Sequence, residues 1–121
     1  MTLGEATVAA VELRSLFEAL EIQRHGRAWS LPEIALGLVG DVGDLAKLVQ
    51  GAAGVREISN LQSKLEHELA DCLWAVLVLA DRLGVDIEAA FHTTTGELQR
   101  YLRSELKGQE TPPGQDEDGS G

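Results

Sequence analysis

The sequence contains little that is typical of a secreted or membrane-spanning protein. Its one cysteine, Cys72, cannot form a disulfide bond within the chain. No cationic leader precedes an apolar segment with a cleavage site. The longest nearly apolar run, "CLWAVLVLA" at residues 72–80, is about half of the roughly 20 residues that a helix needs to cross a bilayer. We therefore expect a cytoplasmic protein with no membrane partner.

Basic residues are also scarce. The 121 residues include 10 lysines and arginines against 20 aspartates and glutamates, which gives a formal net charge of −10 at pH 7. Because such a chain repels the phosphates of DNA and RNA, a nucleic-acid partner is not expected. The length is that of one domain, long enough to bury a modest core but too short for two.

The two-residue alternation of a half-buried strand is missing, and apolar side chains recur at helical spacing instead. This pattern predicts an all-α protein of four helices, at about residues 5–24, 31–50, 60–83 and 87–106. Gly26 is expected to end the first helix. The second is expected to begin with a capping box, since Ser30 is followed three residues later by Glu33. Gly84 is expected to cap the end of the third helix and Asp86 the start of the fourth.

Two further features concern the organisation of the chain. Residues 1–107 are predicted to form one all-α domain, and residues 108–121 are predicted to be a disordered acidic tail, rich in proline and glycine. The third helix is apolar almost all round between Cys72 and Ala80, which is more surface than the neighbouring helices of one copy can cover. We therefore expect a four-helix bundle completed by oligomerisation, as a homodimer or homotetramer.

Two pairs of acids lie at matching positions on the two central helices. Asp41 and Asp44 are three residues apart on the second helix, as are Glu68 and Asp71 on the third. On a helical wheel each pair lies on or beside the apolar face. Carboxylates in that setting need cations, and Mg²⁺ or Mn²⁺ neutralises several at once while leaving positions for substrate phosphates. The alternative is that these acids lie at a solvated edge of the bundle.

The second helix also carries three glycines, Gly37, Gly40 and Gly43. Each costs about 1 kcal/mol relative to alanine in a helix interior. Either a ligand or another backbone approaches this strip closely, or the glycines serve tight packing between helices.

The stretches "LGLVGDVGDLAKLVQ" and "LEHELADCLWAVLVLADRLGVDIEAAF" resemble the MazG-like, all-α nucleoside triphosphate pyrophosphohydrolases. The resemblance covers about residues 29–91 and, within the family, is to the small single-domain forms related to dCTP pyrophosphatase. It implies a helical bundle completed by oligomerisation and Mg²⁺ as cofactor. It also implies a nucleoside triphosphate substrate, hydrolysed to the monophosphate and pyrophosphate.

Carried over residue by residue, the resemblance implies that Asp41, Asp44, Glu68 and Asp71 are the metal ligands. One of these acids, with Glu68 as a candidate, or the nearby Glu33 would orient or deprotonate the attacking water.

The sequence departs from the family's usual pattern at two places. Asp41 and Asp44 stand where relatives usually have Glu, and Thr94 and Leu98 stand where related enzymes often have a Lys and an Asn that hold phosphates. A second hypothesis is therefore a catalytically silent helical oligomer of this family, acting as a nucleotide-binding or protein-interaction module. A third is a structural bundle that binds a partner helix through residues 72–80.

Other side chains are candidates for contacts with a substrate. Trp29, directly before the capping box, is a candidate to stack on a nucleobase, although packing at the helix entry explains it equally well. Arg56 and Lys64, near the loop before the third helix, are the best candidates for phosphate contacts. His67 is expected to point away from Glu68, as a surface histidine rather than a ligand.

Overall fold

The computed structural model describes residues 1–109, which form four α-helices and, over that range, no strand. The helices are α1 (Leu3–His25), α2 (Leu31–Ala52), α3 (Leu61–Arg82) and α4 (Ile87–Gln109). The all-α fold class is therefore confirmed. None of the described helices is both long and apolar enough to cross a membrane.

Side-chain caps fix where the first two helices begin. At α1 the Thr2 hydroxyl accepts from the backbone N–H of Glu5 at 3.0 Å, and the Glu5 carboxylate accepts from the N–H of Thr2 at 3.2 Å. The same reciprocal arrangement joins Ser30 and Glu33 at the start of α2, as predicted. Such capping boxes satisfy N–H groups that have no partner inside the helix. Each of these helices therefore starts at a defined residue.

Glycines in the left-handed conformation follow α1 and α3. Gly26 has a φ of 79° and Gly84 a φ of 70°, and both positions were predicted. The prediction that α2 stops before Gly51 is wrong, because the helix continues through this glycine to Ala52. A Cβ atom at Gly51 would lie 2.7 Å from the Cδ1 atom of Ile58. This glycine therefore permits close packing of the following loop instead of ending the helix.

The described chain divides into two units, of which the first is Met1–Ile87. In this unit α3 packs against both α2 and α1. The centre of its core consists of Ala10, Ile34, Leu77 and Val78, all of them buried. Because α1, α2 and α3 each supply at least one of these side chains, burial of apolar surface holds the three helices around one core.

Polar contacts add to this core on the side of α1. The indole N–H of Trp74 donates to the backbone carbonyl of Ala10 at 3.1 Å, and the Trp74 ring lies 5.6 Å from that of Phe17, centroid to centroid. Arg14, which is 4% exposed, donates two hydrogen bonds to the carboxylate of Glu21, at 2.9 and 2.6 Å. Burial of a charged group is tolerated here because the group is paired.

Many large apolar side chains of the first unit are exposed. Its exposed large apolar side chains include Val8, Leu16, Leu36, Val39, Leu69 and Leu73. Extended apolar surface of this kind is typical of a face that contacts another molecule. The homodimer or homotetramer expected from the sequence stays a prediction.

The second unit begins at Glu88 and is described as far as Gln109, as the main part of α4. Apolar side chains recur along it at helical spacing, at Phe91, Leu98 and Leu102. α4 includes the first two positions of the predicted tail, and the rest of that tail lies outside the described residues. The predicted boundary between a domain at 1–107 and a disordered tail therefore stays a prediction.

Candidate metal site

The packing of α2 against α3 brings together the four acids predicted from the sequence. Carboxylate oxygens of Asp41, Asp44 and Glu68 lie within 4.8 Å of one another. Glu68 and Asp71 form a second group of the same spacing with a nitrogen of His67. We refer to the four acids as the acid cluster. Since Glu68 belongs to both groups, its carboxylate joins the two halves of the cluster.

Among residues 1–109, the basic side chain in contact with the acid cluster is that of His67, whose Nε2 atom lies within ion-pair distance of Asp71. Burial raises the pKa of Glu68, and so do the negative charges of Asp41, Asp71 and Asp44; burial and the charges of Asp71 and Asp44 likewise raise the pKa of Asp41. Within residues 1–109, no lysine or arginine nitrogen lies within 4.0 Å of these four carboxylates. The Oε2 atom of Glu68 is buried and has no hydrogen-bond partner among the described residues. A buried, unpartnered oxygen among acids that repel one another fits a divalent cation with oxygen ligands.

His67 belongs to the site, although its position in the sequence suggested otherwise. It lies on the surface, as predicted, but its Nε2 atom is 3.0 Å from the Oδ2 atom of Asp71. The sequence-based expectation considered only Glu68, the next residue in the chain, and the side chains of adjacent helical residues point in different directions. Asp71 is four residues away, and residues at that spacing are neighbours on a helix. The spacing was therefore the signal that could have identified this contact.

A groove of about 660 Å³ opens beside the acid cluster. We call it the basic groove, because the predicted phosphate contacts Arg56 and Lys64 line it together with Lys47, which sequence reasoning had not selected. Its other lining residues are Asp44, Leu48, Glu57, Ile58, Ser63, His67 and Glu68. The basic groove therefore places three cations next to two members of the acid cluster.

A smaller cavity of about 280 Å³, here called the aromatic pocket, contains the predicted nucleobase contact Trp29. Trp74 and Phe17 also line it, as does Asp41 of the acid cluster. The backbone N–H of Trp29 donates to the Oε1 atom of Glu21 at 2.7 Å, which fixes the loop that carries this ring. The aromatic pocket and the basic groove therefore both adjoin the acid cluster, through different acids.

Glu33, the other candidate for water activation, is engaged elsewhere. Its carboxylate caps α2 and forms an ion pair with Arg27, with an N–O distance of 2.6 Å. The hydrogen bonds from Arg27 and from Ser30 lower the pKa of Glu33 to about 2. In the described part of the chain, Glu33 is not among the acids that lie within 4.8 Å of one another.

The three glycines of α2 have different surroundings. A Cβ atom at Gly37 would lie 3.6 Å from the ring of Trp29, an ordinary van der Waals distance. Cβ atoms at Gly40 and Gly43 would meet no atom within 4 Å. Among the described residues, tight packing between helices therefore does not explain Gly40 and Gly43.

The fold and the acid cluster define an all-α protein with a candidate metal site between two packed helices. The family model described as MazG nucleotide pyrophosphohydrolase domain matches residues 30–102, which is more than half of the chain. The chain therefore belongs to this family, and the resemblance found in the sequence is confirmed. No curated protein and no solved structure matches the chain. The family match contains the whole acid cluster, whereas α1 lies outside it.

Proposed function

We propose that this protein is a Mg²⁺-dependent nucleoside triphosphate pyrophosphohydrolase that converts a (d)NTP and water to a (d)NMP and pyrophosphate. The observation that carries the proposal is the convergence of Asp41, Asp44 and Asp71 on Glu68, whose Oε2 atom is buried without a hydrogen-bond partner in residues 1–109. Membership of the MazG nucleotide pyrophosphohydrolase domain family supports the same reaction class.

In this proposal Asp41, Asp44, Glu68 and Asp71 hold Mg²⁺, and Mn²⁺ suits the same oxygen ligands. A bound metal would neutralise part of the negative charge of the substrate phosphates. The aspartates at positions 41 and 44 are one methylene shorter than the usual glutamates of the family. Their oxygens nevertheless reach within 4.8 Å of a Glu68 oxygen, so the shorter side chains do not prevent the acids from meeting.

We assign the activation of water to Glu68 in preference to Glu33. Glu68 belongs to both acid groups and lines the basic groove, so that its carboxylate lies where the proposed substrate would bind. The pKa of Glu33 is about 2, because Arg27 and Ser30 stabilise its charged form. Glu68 takes the proton as the water oxygen attacks the α-phosphorus. The bond from that phosphorus to the bridging oxygen then breaks, and pyrophosphate leaves with the electron pair.

We infer the orientation of the proposed nucleotide from the two cavities. Asp41 lines the aromatic pocket, whereas Asp44 and Glu68 line the basic groove, so that the acid cluster adjoins both. We propose that the nucleobase lies against Trp29 in the aromatic pocket, since aromatic rings stack well on bases. The phosphates then extend toward Arg56 and Lys64, and the α-phosphate lies nearest to the acids.

A second copy of the chain completes the proposed molecule. The apolar side chains that α1, α2 and α3 leave exposed, such as Leu16, Val39 and Leu69, are of the kind that oligomer interfaces bury. We propose a homodimer or a homotetramer, in which related copies bury these faces against one another.

The proposal is tested by a screen for pyrophosphate release from the common NTPs and dNTPs, with and without Mg²⁺. Asp41→Asn and Glu68→Gln are the variants of the acid cluster. Glu66→Gln is the matched control, because it removes an exposed carboxylate of the same helix that is not part of either acid group.

We expect wild-type and Glu66→Gln proteins to release pyrophosphate only when a divalent metal is present, and both cluster variants to be inactive. Metal-dependent nucleotide binding without release would support the catalytically silent module instead. An activity that survives both cluster substitutions would overturn the proposed role of the acids.

A further inference from the structure

Three cations line the basic groove and form no ion pair within the described part of the chain. Lys47 lies on α2, Arg56 in the loop that follows it, and Lys64 in the first turn of α3. No carboxylate of residues 1–109 lies within 4.0 Å of any of the three charged groups. The arginines that do have a glutamate partner are Arg14, Arg27 and Arg82.

The same groove is also lined by carboxylates, although none of them pairs with the three cations. Asp44 and Glu68 line it as members of the acid cluster, and Glu57 is the neighbour of Arg56 in the chain. A divalent cation on the cluster would offset two of its four negative charges. The three basic side chains would then balance the other two and Glu57, so that the groove would no longer repel an anion.

The start of α3 borders this groove. Asn60 makes no side-chain cap, and the first turn contains no acidic residue, whereas α1 and α2 both begin with a capping glutamate. Ser63 and Lys64 of this first turn line the groove. Backbone N–H groups at the start of a helix favour phosphate, so they act in the same direction as the three cations.

We infer that Lys47, Arg56 and Lys64 form a subsite for the β- and γ-phosphates, and that this subsite binds inorganic pyrophosphate with Mg²⁺ in the absence of a nucleoside. The inference rests on the proposed function, because that reaction leaves pyrophosphate in the basic groove. As the bond to the α-phosphorus breaks, negative charge grows on the leaving pyrophosphate. Fixed cations beside that charge stabilise it, and retention of the product is the consequence.

The test is isothermal titration of the full chain with pyrophosphate in the presence of Mg²⁺. The variants are Lys47→Gln, Arg56→Gln and Lys64→Gln. Arg24→Gln is the matched control, since it removes one exposed cation of α1 that does not line the groove. We expect each groove variant to raise the Kd for pyrophosphate about tenfold, as for the loss of one charge-assisted hydrogen bond. Arg24→Gln should leave the Kd unchanged.

The inference and the proposed function fail in different ways. If the chain hydrolyses nucleotides but the groove variants bind pyrophosphate as the wild type does, the subsite is overturned and the function stands. If no nucleotide is hydrolysed but pyrophosphate binding depends on the three cations, the subsite stands and the function falls. Equal affinity of all variants, with the fold of each verified by circular dichroism, contradicts the subsite in either case.

Discussion

Glu68 is the residue on which the proposed site depends most. The sequence placed it on the apolar face of α3, next to a second acid at the spacing of one turn. Its unpartnered Oε2 atom could not be predicted, because that depends on which side chains of α2 lie opposite. The contact between His67 and Asp71 was within reach of the sequence, since both lie on one helix four residues apart.

The raised pKa values of Asp41 and Glu68 lead to a prediction about pH. A carboxyl group whose pKa is higher in the folded than in the unfolded chain stabilises the fold below its ordinary pKa and loses that effect as the pH rises through the raised value. Without metal, we expect the free energy of unfolding of the wild type to fall from acid to neutral pH, relative to an Asp41→Asn, Glu68→Gln double variant.

Urea denaturation of both proteins over this pH range measures the difference. Other carboxylates titrate in the same range, and the comparison with the double variant removes their contribution. Equal pH dependence of the two proteins would contradict the raised pKa values of Asp41 and Glu68.

At the scale of the elements, short-range patterns predicted the helices well. The pattern Ser-x-x-Glu gave the start of α2, and the same reasoning applied to Thr2 and Glu5 would have placed the start of α1 two residues earlier than predicted. Gly51 was misjudged because helix propensity disfavours glycine. The packing of Ile58 against that position is a tertiary contact, and no local pattern reveals it.

The ion pair of α1 leads to a second prediction. Glu21→Gln removes the charge that balances Arg14, a nearly fully buried side chain, and weakens the hydrogen bond to the backbone of Trp29. We expect a loss of about 2 kcal/mol in the free energy of unfolding, because hydrogen bonds between charged groups are the strong ones. Denaturant titration measures it, with Glu12→Gln as the control on an exposed part of the same helix. A loss no larger than that of Glu12→Gln would show that the pair adds nothing to stability.

Gly40 leads to a third prediction. A Cβ atom there would meet nothing within 4 Å, so Gly40→Ala introduces no clash among the described residues. Since alanine favours the helix by up to about 1 kcal/mol, we expect the denaturation midpoint to rise. If it falls instead, a group outside the described contacts approaches this face of α2.

At the scale of the whole molecule, the sequence could indicate the acid cluster but not the two cavities beside it. The four acids could be selected from the sequence, because each pair has helical spacing and both pairs match the family pattern. The aromatic pocket also needs α1, which supplies Arg14, Phe17 and Glu21 and lies outside the family match. The grouping of Lys47 with Arg56 and Lys64 likewise depends on how α2, the loop and α3 fold together.

The exposed apolar faces lead to a prediction about assembly. We expect the full chain to sediment at equilibrium as a dimer or tetramer, because large apolar side chains of the first unit, such as Leu36 and Leu73, are exposed. Replacing one of them, as in Leu73→Glu, should shift the equilibrium toward the monomer. A wild-type chain that remains monomeric at high concentration would contradict the expected assembly.

The central claim, that the acid cluster is a metal site, is tested most directly by the melting temperature with and without Mg²⁺ or Mn²⁺. A ligand that binds only the folded state stabilises it. We therefore expect metal to raise the melting temperature of the wild type and of Glu66→Gln, and to leave that of Glu68→Gln unchanged. Without metal, Glu68→Gln should be at least as stable as the wild type, because one of the repelling charges is gone. A destabilised Glu68→Gln variant that still responds to metal like the wild type would contradict the claim.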